Sequence, residues 1–222
     1  GEEIVLSGNL EIVGRKSLTK ITSAPKSRHF TVLNGNELVL KWVNLTGGNI
    51  LNLEEAGSCT TTPPPDAPGC GFGGAVYAED SKLFIEFCAF YGNRAFRGGA
   101  IATKNAQSFS LTSTSFTSNV GGQCGGAVYV YFEQANPKTI NFDRLNFSNN
   151  SIRVVGTGLT PYGGALYLDC TGGRIEMQNS LFLKNVLIYN DGTTGAGGAV
   201  WANLNITIVN SHFIGNRASE GG

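Results

Sequence analysis

Two short motifs recur in a fixed order along this chain of 222 residues. A Gly-Gly-Ala-aliphatic tetrad occurs five times, and Gly221-Gly222 resembles the start of a sixth copy. The five tetrads begin at Gly73, Gly98, Gly125, Gly163 and Gly197. A Phe-x-x-Asn motif follows each tetrad; the pairs are Phe90/Asn93, Phe116/Asn119, Phe147/Asn150, Phe182/Asn185 and Phe213/Asn216. Such internal repeats indicate a fold in which one small unit is stacked on its neighbours.

The eight residues that end at each repeated Phe follow a period-two pattern. These segments are 83–90, 109–116, 140–147, 175–182 and 206–213, and segment 38–45 fits the same pattern less regularly. The first and third positions are apolar, the last is always Phe, and the second and fourth are mixed. Because alternate side chains of a strand point to opposite faces, we expect the uniform positions to face inward.

The composition favours strands and tight turns over helices. Gly accounts for 31 residues and charged residues for only 14% of the chain, and Gly is a poor helix former. A repeat of about 25 residues with short strands and Gly turns predicts an all-β parallel β-helix, which we expect to have about six to eight coils. In it the Phe side chains would stack, the Asn amides would form a ladder at a turn, and the Gly pair would allow a corner.

The chain divides into three parts in this interpretation. Residues 1–49 form irregular N-terminal coils, 50–72 an inserted loop, and 73–222 the regular coils. The longer intervals between tetrads predict loops at 151–162 and 186–196, which with loop 50–72 would offer recognition surface. Since the chain begins without Met and ends at a Gly pair, we expect a fragment of a longer protein whose capping segments are missing.

The paired GGA[ILV] and FxxN motifs resemble the repeats of chlamydial polymorphic outer membrane proteins. Similar repeats occur in large extracellular β-helix proteins, and stretch 28–49 is similar to their lead-in coil. The resemblance covers residues 28–222. It implies a right-handed parallel β-helix that is secreted or surface-exposed and used for adhesion or assembly, and it carries over no catalytic residue.

The five cysteines support one disulfide prediction. Cys59 and Cys70 bracket a Pro-rich insertion, and an extracellular location favours a disulfide between them over two unrelated thiols. Cys88 occupies a repeat position with other small residues, so we expect it to fill the core. Cys124 and Cys170 occupy different repeat positions and are not paired with each other in this prediction.

Four asparagines stand in N-x-S/T sequons, namely Asn44, Asn146, Asn149 and Asn205. In an Asn-rich chain some sequons arise by chance. However, Asn44 and Asn146 occupy the same outward repeat position, and Asn149 precedes a long loop. In a eukaryotic protein we therefore expect N-glycans at these positions.

Several function classes are disfavoured by composition and spacing. The formal net charge is zero, which disfavours nucleic acid as a partner, and no apolar run is long enough for a membrane-spanning segment. With two histidines and no CxxC motif, we expect neither a metal site nor a cofactor. Glu86 and Asp143 share a repeat position but lie two repeats apart, so we expect no catalytic residues and no enzyme activity.

The residues after the tetrads include Tyr77, Tyr129, Tyr167 and Trp201, with Ala102 between the first two. If the preceding aliphatic residues face inward, the aromatic residues form an exposed stripe that binds sugars or a protein. If instead the aromatic residues face inward, they are core and the aliphatic residues lie outside. We favour core or simple ladder packing of these residues over a binding stripe.

These features predict a non-catalytic module that is extracellular or on the cell surface. It would form part of an appendage, coat or matrix, or mediate adhesion. The expected partners are other copies of the chain, other extracellular structural proteins and glycans. The alternative is a glycan-binding or polysaccharide-cleaving β-helix domain.

Overall fold

The computed structural model describes residues 3–51, 71–133, 140–154, 159–188 and 194–218, with backbone alone at 171–173. The described residues form 23 strands and no helix. Every pairing between these strands is parallel. The predictions of an all-β fold and of parallel strand pairing are therefore confirmed for the described part of the chain.

The strands are short, apart from two that run through a bend. In chain order they are β1 (Ile4–Val5), β2 (Leu10–Val13), β3 (Thr19–Thr22), β4 (Phe30–Val32), β5 (Glu37–Lys41), β6 (Val43–Thr46), β7 (Val76–Glu79), β8 (Lys82–Glu86), β9 (Ala89–Tyr91), β10 (Arg94–Arg97), β11 (Ile101–Lys104), β12 (Ser108–Thr112), β13 (Ser115–Thr117), β14 (Val120–Cys124), β15 (Val128–Phe132), β16 (Ile140–Asp143), β17 (Asn146–Ser148), β18 (Ser151–Arg153), β19 (Leu166–Gln178), β20 (Leu181–Leu183), β21 (Val186–Ile188), β22 (Val200–Val209) and β23 (His212–Ile214).

The described strands form three sheets. The largest, of twelve strands, has two arms. The first arm contains β1, β4, β7, β11 and β15, the second contains β2, β5, β8, β12 and β16, and the long strands β19 and β22 run through both. A seven-stranded sheet contains β3, β6, β9, β13, β17, β20 and β23, and a four-stranded sheet contains β10, β14, β18 and β21. We call one passage of the chain through these sheets a level.

Equivalent residues of successive levels lie side by side. Phe116 pairs in register with Phe90 on one side and Phe147 on the other. Leu45 takes the place of the repeated Phe in an earlier level, where it pairs with Phe90. The sequence repeat thus corresponds to the spacing between neighbouring parallel strands, about 4.8 Å.

Each eight-residue segment that was expected to be one strand is divided by a corner. In segment 83–90, for example, β8 ends at Glu86, Phe87 has a positive φ, and β9 begins at Ala89. Because the chain turns at this corner, the first, third, sixth and eighth positions of the eight-residue segment face inward. The sixth position carries small or medium residues that are buried, namely Cys88, Thr114, Leu145 and Ser180.

The repeated Phe side chains form a continuous stack at the centre of the core. The rings of Phe90, Phe116, Phe147 and Phe182 are buried and lie 5.0, 4.8 and 4.8 Å apart, with interplanar angles of at most 10°. Phe213 continues the stack at 4.7 Å. It is 45% exposed, since β23 has a described neighbour on one side only.

The repeated Asn side chains form a second buried column. The Asn119 Nδ2 donates to Asn150 Oδ1 and to the Phe90 carbonyl oxygen, both at 3.0 Å. The Asn119 Oδ1 accepts hydrogen bonds from the backbone N–H and the Nδ2 of Asn93, at 3.0 and 3.1 Å. Each interior Asn side chain thus connects three successive levels. Its hydrogen bonds to protein groups replace those that it makes to water in the unfolded chain.

The last member of this column, Asn216, departs from the uniform ladder that the sequence predicts. Its Oδ1 accepts hydrogen bonds from the backbone N–H and the Nδ2 of Asn185, both at 2.9 Å, and its Nδ2 donates to the Phe182 carbonyl oxygen at 3.0 Å. Asn216 is nevertheless partly exposed, whereas the four asparagines before it are fully buried. The reason is the same as for Phe213: among the described residues, only the preceding level lies against it. Asn216 therefore ends the described ladder and is not an interior member of it.

The Gly pair of each tetrad is required by a close backbone approach. Gly125 has a φ of 63°, a backbone conformation that residues with a Cβ adopt only at a cost in free energy. A Cβ on Gly126 would overlap the carbonyl oxygen of Gly164 in the next level. The pair therefore permits the chain to enter the first arm in contact with the neighbouring level.

Truncating the Phe stack tests this packing. Phe147→Ala is expected to lower the free energy of unfolding by about 3–5 kcal/mol, since it removes a fully buried ring between two others. Chemical denaturation followed by circular dichroism measures the change. The control Phe213→Ala removes an equivalent ring that is partly exposed and should cost less than half as much. Equal effects of the two substitutions would contradict the assigned core.

Candidate functional site

The first arm of the large sheet has an inner and an outer face. Val76, Ile101, Val128 and Leu166 are fully buried in the main core. The next residue of each strand therefore points outward, and these residues are Tyr77, Ala102, Tyr129 and Tyr167, followed by Trp201 in β22. The aliphatic residues face inward, as the first of the two alternatives requires.

However, the outward aromatic residues do not form a solvent-exposed stripe. Tyr77, Tyr129 and Tyr167 are buried in a second apolar cluster, and Trp201 is partly exposed. The Tyr129 and Tyr167 rings stack at 5.0 Å, and the Tyr167 and Trp201 rings at 4.6 Å. The ladder packing that we favour for these residues thus lies on the outer face of the strands, because this arm is buried on both faces.

The cover comes from the residues that precede the tetrads. Phe72 lies 5.8 Å from Tyr77 and 5.7 Å from Tyr129, in the gap that Ala102 leaves. Tyr162 lies 5.0 Å from Trp201, and the Arg97 guanidinium lies 5.3 Å from the Phe72 ring. The sequence does not mark these residues, because their repeat position carries Phe, Arg, Cys, Tyr and Ala in turn and so gives no periodic signal.

A row of polar groups borders this aromatic cluster. The Tyr77 hydroxyl donates to Glu79 at 2.7 Å, and the Tyr167 hydroxyl donates to Asp169 at 3.1 Å. Lys104 lies between the carboxylates of Glu79 and Glu133, at 3.2 and 3.0 Å. These pairs hold the hydroxyl groups in place at the border of the cluster.

Burial raises the pKa values of the titratable groups in this cluster. Desolvation, together with the nearby Glu79 carboxylate, raises the pKa of Tyr77 well above its usual value. Desolvation also raises the pKa of Tyr129 and of Tyr167, and it raises the pKa of the Cys124 thiol to about 12. These groups are neutral at physiological pH, so the cluster is an apolar surface with polar edges.

The outward acids of the second arm are dispersed. Register places Glu86, Thr112 and Asp143 in successive levels. Asp143 pairs with Arg144 at 2.8 Å and accepts a hydrogen bond from Asn179 Nδ2 at 2.9 Å. Within the described ranges, no three His, Cys, Asp or Glu side chains are grouped so that they could hold a metal ion.

The four sequon asparagines differ in exposure. Asn146, Asn149 and Asn205 are exposed. Asn44 is partly buried, and its Oδ1 is buried without a hydrogen-bond partner. Asn44 and Asn146 lie in one column, with Ala89 and Ser115 between them. Asn44 is therefore the least accessible of the four for modification.

The described cysteines are buried. Cys88 and Cys124 have free thiols, and Cys170 is buried against the main core. Desolvation raises the pKa of Cys88 to about 11. Cys59 and Cys70, for which a disulfide was predicted, lie outside the described residues, as do Gly221 and Gly222.

Comparison of the chain with known protein families, with curated proteins and with solved structures finds no match. In the described ranges, no helix is both long enough and apolar enough to cross a membrane.

Alkaline titration tests the burial of the aromatic cluster. The pKa of Tyr129 is raised in the folded state. Above about pH 10 the unfolded chain therefore releases the Tyr129 proton, whereas the folded chain retains it. The stability contributed by this group is complete below that pH and is lost as the pH rises further. Tyr129→Phe should therefore flatten the fall in unfolding free energy above about pH 10, by up to about 1.4 kcal/mol per pH unit.

Denaturation curves at about pH 9, 10 and 11 measure this effect. The control Tyr91→Phe removes a hydroxyl from a side chain that is 56% exposed, so it measures the effect of losing a tyrosine hydroxyl outside the aromatic cluster. The same slope for wild type and Tyr129→Phe would contradict the buried position of Tyr129.

Proposed function

We propose that the chain is a right-handed parallel β-helix that acts as a non-catalytic structural or adhesion module outside the cell. The observation that supports this best is the in-register stacking of identical buried side chains, Phe on Phe and Asn on Asn. The seven strands of the sheet that contains the Phe stack suggest seven coils. The resemblance of the repeats to polymorphic outer membrane proteins supports the same role.

The mechanism that we propose is mechanical. Parallel hydrogen bonds between levels, together with the Phe and Asn columns, resist bending and separation of neighbouring levels. Identical levels allow a long rod to be built from a short repeat. Such a rod would place its exposed loops at a distance from the surface that bears it, as an appendage, coat or matrix protein requires.

The exposed sequons support an extracellular location. Asn146, Asn149 and Asn205 are open to a glycosyltransferase. Proposed partners are further copies of the chain, other extracellular structural proteins and glycans. Cleavage of polysaccharides is the weaker proposal: Glu86 and Asp143 lie two levels apart with Thr112 between them, and Asp143 is already engaged by Arg144 and Asn179.

Adhesion is tested with beads that carry the purified chain. The beads are washed under flow over surfaces coated with the same chain, with extracellular matrix glycoproteins or with polysaccharides. Parallel incubations of the soluble chain with the polysaccharides are assayed for new reducing ends. We expect retention on at least one surface and no new reducing ends.

The control is a bead coated with chain that has been unfolded and kept in denaturant until the wash. Retention of these beads to the same extent would show that the adhesion is unspecific. Release of reducing ends by the folded chain, or no retention on any surface, would contradict the proposed function.

A further inference from the structure

The corner between the second arm and the seven-stranded sheet carries an unusual pair of side chains. Strand register places one residue of each level at this corner. In chain order they are Gly14, Trp42, Phe87, Ser113, Arg144, Asn179 and Asn210. All except Gly14 have a φ between 48° and 58°. Two of the seven levels thus place a large aromatic residue where the other five place Gly, Ser, Arg or Asn.

Trp42 and Phe87 are poorly suited to this backbone. The left-handed conformation is unfavourable for a residue with a Cβ, and Asn tolerates it better than bulky residues do. Asn179 and Asn210 show that the corner accepts Asn. Backbone preference therefore does not account for the aromatic residues at these two positions.

The two rings form a flat surface at the corner. They are parallel, with an interplanar angle of 6° and a centroid distance of 4.2 Å. Both side chains are partly exposed. Elsewhere in the described part of the chain, no aromatic ring or cation stacks on either of them. The pair therefore offers aromatic surface to solvent, unlike the covered cluster on the first arm.

Cationic residues lie on the level next to Trp42. Lys41 pairs with Val13, and Val43 pairs with Thr19, so residues 14–18 lie opposite Trp42. This segment carries Arg15 and Lys16, and Lys20 follows it in β3; all three are exposed. None of the three forms an ion pair within the described ranges, whereas Lys41 pairs with Glu11 at 3.1 Å.

We propose that this corner binds an acidic polysaccharide. The apolar C–H face of a pyranose ring packs on the aromatic surface of Trp42 and Phe87. Arg15, Lys16 and Lys20 pair with the carboxylate or sulfate groups of the same chain of sugars. The proposal rests on the adhesion role given above and names the class of partner, and the unpaired cations favour an acidic ligand over a neutral one.

The side chains of the corner column provide a sharp test. Trp42→Asn/Phe87→Asn gives both positions the residue that Asn179 and Asn210 already place at the same corner, so this variant should keep the wild-type circular dichroism and melting temperature. Arg15→Gln/Lys16→Gln removes two exposed cations. Ser113→Gly is the control for the corner, since Gly14 occupies the same column. Arg174→Gln/Lys184→Gln is the control for net charge, because both side chains are exposed and lie on later levels.

The probe is polygalacturonate on a biosensor surface, with dextran as the neutral comparison. We expect the wild type to bind polygalacturonate and not dextran, and to bind more weakly at about 0.5 M salt than at about 0.05 M. The aromatic variant and the Arg15/Lys16 variant should each lose about tenfold or more in affinity. The Arg15/Lys16 variant should also show a weaker dependence on salt. Both controls should bind as the wild type does.

Three results would overturn the proposal. They are no binding of polygalacturonate by the wild type, equal binding of dextran, and unchanged binding by a folded Trp42→Asn/Phe87→Asn variant. A wild-type dimer in sedimentation that this variant abolishes would assign the corner to a second copy of the chain instead. The adhesion role is tested separately. If beads are retained on protein-coated surfaces while any of these results is found, the adhesion role stands and only polysaccharide binding at the corner is overturned.

Discussion

The buried asparagine ladder is the interaction on which the other features of this structure depend. Each interior amide donates to the next level and to a carbonyl oxygen of the preceding one, and its oxygen accepts two further hydrogen bonds. A shift of one level relative to its neighbour would leave several buried polar groups without partners, each at a cost of about 1–3 kcal/mol. The ladder therefore fixes the register between levels more strictly than apolar packing can.

With the register fixed, the other columns follow. Phe116 can stack on Phe90 and Phe147 only because Asn119, three residues later, is held between Asn93 and Asn150. The Gly pairs permit the levels to approach at the opposite side of the core. The outer positions are not restricted by this packing. Trp42, Phe87 and the covered tyrosines show that the outer side chains can differ between levels while the inner ones remain constant.

The sequence predicted the features that repeat and missed those that do not. The all-β fold and the parallel strands could be inferred from the motif spacing and from the alternation within segments such as 109–116. The corner at Phe87 could not, because its column mixes Trp, Phe, Ser, Arg and Asn, and no single residue type marks the positive φ. The cover that Phe72 and Tyr162 provide was missed for a similar reason: it depends on side chains from neighbouring levels that share no sequence pattern. The exposure of Asn216 was missed because the motif is the same in every copy, whereas burial depends on a level on each side.

Hydrogen exchange of the asparagine side-chain amides is the most direct test of the ladder. Nuclear magnetic resonance on the chain labelled with ¹⁵N-asparagine would follow the Nδ2 protons of Asn93, Asn119, Asn150 and Asn185, with the exposed Asn141 as the internal reference. The ladder predicts that the four buried amides exchange at least about a thousandfold more slowly than Asn141, because they open only with the surrounding levels. Exchange of the four at the rate of Asn141 would contradict it.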